Sequence, residues 1–172
     1  MPGTDASRTS LAAIAELLAP ARPAVAEQVL HAHDDPTGYV RAHAARLADR
    51  GIDGPVPDLA WIALIDALDE HRLLAEFDWK EDPEGIRGQL IGLVSRPSVD
   101  SWVLVDAEEM LLPTEAFLHA CGRHYREIGA ALAVLDIQSD CYPVVCLRGS
   151  RADELVSLAT RAGFTADLLG AR

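Results

Sequence analysis

Lysine is nearly missing from this chain: Lys80 stands alone against fourteen arginines. The richness in Ala, Arg, Leu and Asp points to a genome that drifts toward arginine codons, and a lysine that survives such drift is there either for its chemistry or by chance. Basic charge as a whole is also scarce. Twenty-seven acidic residues against fifteen basic ones give a formal charge of -12 and a pI near 4.8, a field that repels a phosphate backbone and leaves no basic stripe for DNA or RNA. Nucleic acid is disfavoured as a partner; the field favours a basic protein or a cationic ligand, and solubility alone is the simpler account of it. Cysteine is limited to Cys121, Cys141 and Cys146, an odd number without CxxC spacing, which argues against a disulfide framework. No apolar run approaches the roughly 18 residues that span a bilayer, and the start Met1-Pro2-Gly3-Thr4-Asp5 lacks a basic leader region. No membrane association and a reduced, cytoplasmic location are expected. Segments of the GxxxxGK[ST], GxGxxG and GxSxG types do not occur, so the common nucleotide folds and the serine-hydrolase elbow find no support.

What the chain does carry is 49% hydrophobic content over 172 residues, enough for one substantial core and short for two domains. Leu11, Ile14, Leu17 and Leu18 recur on one helical face behind a Thr9 or Ser10 cap, and Pro20 and Pro23 end that helix. A short helix over Val25 to His33 follows. Pro36 opens another, aligning Val40, Ala44 and Leu47 as far as Gly51. These helices form an N-terminal part of about 7–50, and the sheet-containing part occupies about 57–170.

In that second part, Pro57 or Asp58 starts a helix with Trp61, Leu64, Ile65 and Leu68 on one stripe and Asp66, Asp69 and Glu70 on its polar face. Leu73 to Trp79 alternates as a half-buried strand, with Leu73, Ala75, Phe77 and Trp79 on the apolar side and Trp79 as a core anchor. Asp82-Pro83 is a cap followed by a proline at the first helical position, and the helix runs to about Ser95. Gly85, Gly88 and Gly92 within it suggest a face of close backbone approach. Ser101 to Asp106 is a short apolar run of undecided type. Pro113-Thr114 introduces a helix carrying Phe117, Cys121, Tyr125 and Ile128, ended by Gly129. Ala131 to Ile137 and Tyr142 to Leu147 read as a hairpin around Gln138-Ser139-Asp140-Cys141, with Pro143 marking an edge or a bulge. Ser150-Arg151-Ala152-Asp153 resembles a capping box opening a helix to Gly163, and Phe164 to Leu168 adds a strand. The expectation is one α+β domain over 1–172. Its small, mostly antiparallel sheet has strands near 73–79, 131–137, 142–147 and 164–168, and six or seven helices cover it.

Four clusters invite a chemical reading. His31-Ala32-His33-Asp34-Asp35 resembles part of the HxHxDH motif of metallo-β-lactamases, but Pro36 stands where that motif has histidine; a helix terminus with Asp35 capping the next helix is the simpler account, so no metal is expected. Lys80 among Asp78, Glu81 and Asp82 suggests a catalytic amine, yet the carboxylates favour its ammonium form and keep it unreactive. Asp136, Ser139 and Asp140, with Tyr142 close by, offer oxygens to a cation or ligand, and equally satisfy a turn. Cys121, between His119 and His124, shares the apolar stripe of its helix and reads as core.

Two stretches, Trp61 to Leu68 running into Leu74 to Glu84, and Leu135 to Tyr142, resemble a bacterial family classed as domain of unknown function 6630, over most of the chain after about residue 55. The resemblance implies no activity, cofactor or catalytic residue. The functional expectation is a non-catalytic protein-interaction or regulatory module, monomer or homodimer, that presents an acidic surface to a basic protein. Its binding residues are taken as Asp78, Trp79, Lys80, Asp136, Asp140 and Tyr142. The alternative is a small-molecule-binding protein or enzyme with a pocket near Asp78, Lys80, Asp136 and Asp140.

Overall fold

A strand buried on both faces needs a layer of helices on each side, and the run Ala130–Leu135 is such a strand, with five of its six residues buried. In the computed structural model, which describes residues 4–98 and 105–171, it is β2 of a four-stranded sheet. The others are β1 (Leu74–Asp78), β3 (Cys141–Arg148) and β4 (Ala166–Leu168), in the order β1-β3-β2-β4 with every neighbouring pair antiparallel. Eight α-helices surround the sheet among the described residues: α1 (Thr4–Leu18), α2 (Pro23–Asp34), α3 (Pro36–Ala42), α4 (Ala44–Ala48), α5 (Leu59–Glu70), α6 (Pro83–Ile91), α7 (Thr114–Glu127) and α8 (Ala152–Ala162). The chain is an α+β domain, as expected. Most of the 101–106 run lies outside the described residues.

The two sheet faces carry separate cores. Leu74, Ala131, Ala133, Val145 and Leu147 face the larger one, filled by α1, α2, α5 and α8; Ala75, Phe77, Leu132, Val144 and Cys146 face the smaller one, filled by α6 and α7. The N-terminal helices and the sheet therefore share a single core. At its centre α5 is buried at every position from Leu59 to Leu68, which is what an all-round apolar helix requires. It packs against α2 and β1, while the Trp61 ring stacks on Phe164 at 4.8 Å and its Nε1–H donates to the Asp136 carbonyl at 3.1 Å.

Several local expectations are corrected. α1 starts at Thr4, so Ser10 is a buried helical residue and not a cap. The helix after Pro36 breaks at His43 (φ -119°, ψ 28°), and this changes its buried face: Tyr39 and Leu47 are buried and Ala44 is exposed. α6 stops at Ile91, short of Ser95; Gly92 caps it and Gly88 has open space around it, so the three glycines form no close-packed face. The close approach is elsewhere, at Gly122 in α7, where a Cβ would run into the Leu169 backbone. Arg151 caps α8 without any side-chain hydrogen bond, so the capping box is not formed. β3 is a central strand despite Pro143. Its ladder with β2 ends at Val134↔Val144, and Pro143 sits one residue beyond, with only β1 alongside at Glu76, so the missing N–H falls where the β2 ladder has already stopped.

Candidate functional site

The six residues expected to bind a ligand or partner all come to one end of the sheet. Asp78, the last residue of β1, is opposite Cys141, the first of β3, and Phe77 is opposite Tyr142. The chain then turns at Trp79 and Lys80, where the Asp78 carboxylate accepts the Lys80 backbone N–H at 2.9 Å. Asp82 accepts the Gly85 N–H at 2.7 Å and caps α6 as expected. Thr114, at the start of α7, donates its hydroxyl to the Glu81 carbonyl at 2.7 Å, which docks the α7 N-terminus on this turn. Across the sheet, Asp136 accepts the Gln138 N–H at 2.7 Å and Ser139 accepts the Cys141 N–H at 3.1 Å, so these oxygens do the work of a turn.

Trp79 is no core anchor. It follows the last strand residue, where alternation no longer fixes its direction, and is 53% exposed. The Lys80 ammonium lies over its ring at 4.7 Å from the centroid, a cation–π contact that already holds one positive charge on the indole face. The same end of the sheet carries Asp78, Glu81, Glu115 and Asp140, none of which has an ion-pair partner among the described residues. Their field is felt locally. Partial burial, then Glu115 and Asp140, raise the Tyr142 phenol above its ordinary value, and burial followed by Glu76 and Asp78 does the same to the Cys141 thiol.

Asp136 and Tyr142 also line a cleft of about 180 Å³ with Glu115, His119, Ser139, Cys141 and Asp167; Asp78, Lys80 and Asp140 are not among its lining residues. That volume is below the roughly 300–1,000 Å³ of ordinary small-molecule sites. His119 accepts the Gly170 N–H on Nδ1 at 3.0 Å, which leaves its proton on Nε2.

Glu115 went unrecognised in the sequence, although the Pro113-Thr114 helix start places an acidic residue in the first turn of α7. A second arrangement gave less signal. Asp66, expected on the polar face of α5, is 1% exposed and receives Arg50 at 2.7 Å and Arg46 at 3.2 Å; Arg50 also reaches Glu76 at 2.7 Å, and Arg46 reaches Asp69 at 2.8 Å. Burial works against the Arg50 charge, but the hydrogen bonds to Glu76 and Asp66 more than offset it and hold its pKa above the ordinary value. This network pairs three carboxylates, Asp66, Asp69 and Glu76, with two guanidiniums, and does not extend to the carboxylates at the sheet end.

The motif near residue 31 resolves as helix-end chemistry: Asp34 pairs with Arg8 at 3.1 Å and His33 at 3.0 Å, and Asp35 accepts the Gly38 N–H to cap α3. Among the described residues, no three His, Cys, Asp or Glu side chains converge as a metal-ligand set. Cys121 is buried, and burial pushes its thiol up to about 12, the behaviour of a core residue. Among the described residues no helix is long and apolar enough to cross a membrane.

The architecture is that of an antiparallel α+β domain with helices on both faces and an acidic sheet end carrying an exposed tryptophan. The chain belongs to the family described as Domain of unknown function (DUF6630), whose profile matches residues 10–169. The match takes in the N-terminal helices, which the two recognised stretches did not reach. No curated protein and no solved structure gives a significant match.

Proposed function

We propose that the protein is a non-catalytic recognition module that binds a basic segment of a partner protein at the acidic end of its sheet. The observation that carries this reading is Trp79, a large apolar ring 53% exposed at the sheet end that also carries carboxylates without ion-pair partners among the described residues. Exposed Trp is enriched among residues that dominate binding energy, and its ring accepts Arg or Lys when neighbouring charge draws the cation in. Lys80 on the same ring shows that the indole face takes a cation. Asp78, Glu81, Glu115 and Asp140 supply the steering field, and Tyr142 adds a second aromatic edge. The -12 charge of the whole chain reinforces that field.

The test is capture from native lysate by wild-type protein and by Trp79→Ala, at low and high salt, with sizing of the complex by light scattering. A basic partner recovered by wild type, released by salt and lost from Trp79→Ala agrees with the proposal. A partner held equally well by Trp79→Ala places the interface elsewhere and overturns it.

A further inference from the structure

A second cavity lies at the opposite end of the sheet and has opposite electrostatics. It measures about 460 Å³ and is lined by Leu17, Leu18, Pro20 and Ala21 at the end of α1, by Leu73, Val94 and Ser95, and by the Cys146–Arg148 end of β3. The space exists because β1 begins at Leu74, opposite Val145, so β3 from Cys146 onward has β2 on one side and the cavity on the other. Its charged lining is Arg22, Arg148 and Arg151, without a single carboxylate.

That lining runs against the composition. The chain has nearly twice as many acidic as basic residues, yet Arg22 and Arg148 have no carboxylate within ion-pair distance among the described residues, while Arg151 is held by Glu154 at 2.9 Å. An unpaired guanidinium beside an apolar wall is a receptor for carboxylate or phosphate, whose paired oxygens its planar fork matches. Ser95 also lines the cavity, although its hydroxyl oxygen is itself buried and unpartnered among the described residues. The wall that presents it is fixed by Arg72, whose carbonyl accepts the Val94 N–H at 2.8 Å and whose guanidinium donates to the Gly92 carbonyl at 3.0 Å. Arg72 does this from a left-handed backbone conformation, φ 59°, a strained geometry for a side-chain-bearing residue that persists where the surroundings enforce it.

We propose that this cavity binds an organic anion with an apolar body, a chain or ring ending in a carboxylate or phosphate. The body lies along Leu17, Leu18, Leu73 and Leu147, and the head group meets Arg22 and Arg148. The volume falls within the roughly 300–1,000 Å³ of small-molecule sites.

Titration calorimetry of the full chain with decanoate, decyl phosphate and decanol, each below its aggregation limit, tests this. One-to-one saturable binding of either anion, at least about tenfold tighter than decanol, is expected. The double variant Arg22→Gln/Arg148→Gln should weaken the anion by at least about tenfold and leave decanol unchanged. Ala21→Trp, at an exposed position on the rim, should abolish binding of both. Binding by one anion and not the other supports the proposal and identifies the head group. Heats that never saturate, anion and alcohol bound alike, or binding untouched by both variants would overturn it. None of these outcomes depends on Trp79 or on the acidic end of the sheet.

Discussion

Asp66 keeps its Oδ2 out of water and, among the described residues, without a hydrogen-bond partner, so the charge it carries depends on the arginines that reach its other oxygen. Removing one partner of a buried pair leaves an uncompensated charge and costs roughly 3–5 kcal/mol. Arg50→Met is expected to lose stability on that scale by urea denaturation, and adding Asp66→Leu should restore part of the loss, because an apolar pair of similar volume avoids the desolvation penalty. The residues of the acidic end should behave in the opposite manner. Lys80→Ala, Asp140→Ala and Trp79→Ala remove exposed side chains, so each is expected to change stability by less than about 0.5 kcal/mol in the same assay. A loss above about 1.5 kcal/mol at Lys80 or Asp140 would instead reveal a structural polar network there.

Among the elements, α7 and the chain after β4 meet most tightly, at Gly122 against the Leu169 backbone. Helix propensity alone says that Gly122→Ala stabilises by about 1 kcal/mol. The contact reverses the sign: the new methyl must displace backbone, at a cost of about 1–3 kcal/mol, and thermal unfolding should show a lower Tm with local loosening of β4 in hydrogen exchange. This element-to-element approach left no trace in the sequence, because a glycine inside a helix does not say what lies across from it. Features set within a few residues were legible. The Asp35 and Asp82 caps, the α5 apolar run, the hairpin strands and the fold class follow from local chemistry. Features set by distant chain were not. Pro143 reads as an edge because the sequence does not show that the β2 ladder ends one residue before it. Asp66 reads as surface because Arg50 and Arg46 arrive from another helix and its following turn. Trp79 reads as core because alternation carries no mark of where the strand stops. Of the candidate site, the acidic turn around Asp78 and Lys80 was visible, whereas Glu115 and the cationic cavity needed the tertiary fold.

For the molecule as a whole, three buried groups besides Asp66 are weak acids. Burial pushes the Cys121 and Cys146 thiols and the Tyr39 phenol up to about 12, from ordinary values of 9.0 and 10.0. Each group is essentially neutral in both states below about pH 8 and contributes little pH dependence there. Between its unfolded and folded values the unfolded chain binds fewer protons, so stability falls as pH rises. The urea midpoint is expected to decline from about pH 9 upward, toward about pH 12, with a total loss on the order of several kcal/mol. Cys121→Ala/Cys146→Ala should shallow that decline, and a flat wild-type profile would refute the assignment. The same burial predicts that a thiol reagent at about pH 8 reacts with Cys141 in the native protein and with Cys121 and Cys146 only after unfolding.

Lys80, which supplies the only side-chain amine in the sequence, sits 4.7 Å from the centre of an exposed indole. An acylating dye or cross-linker therefore has a single side-chain amine to attack, adjacent to an intrinsic fluorophore. Acylation there would itself erase the charge resting on Trp79 and free the ring for an incoming cation.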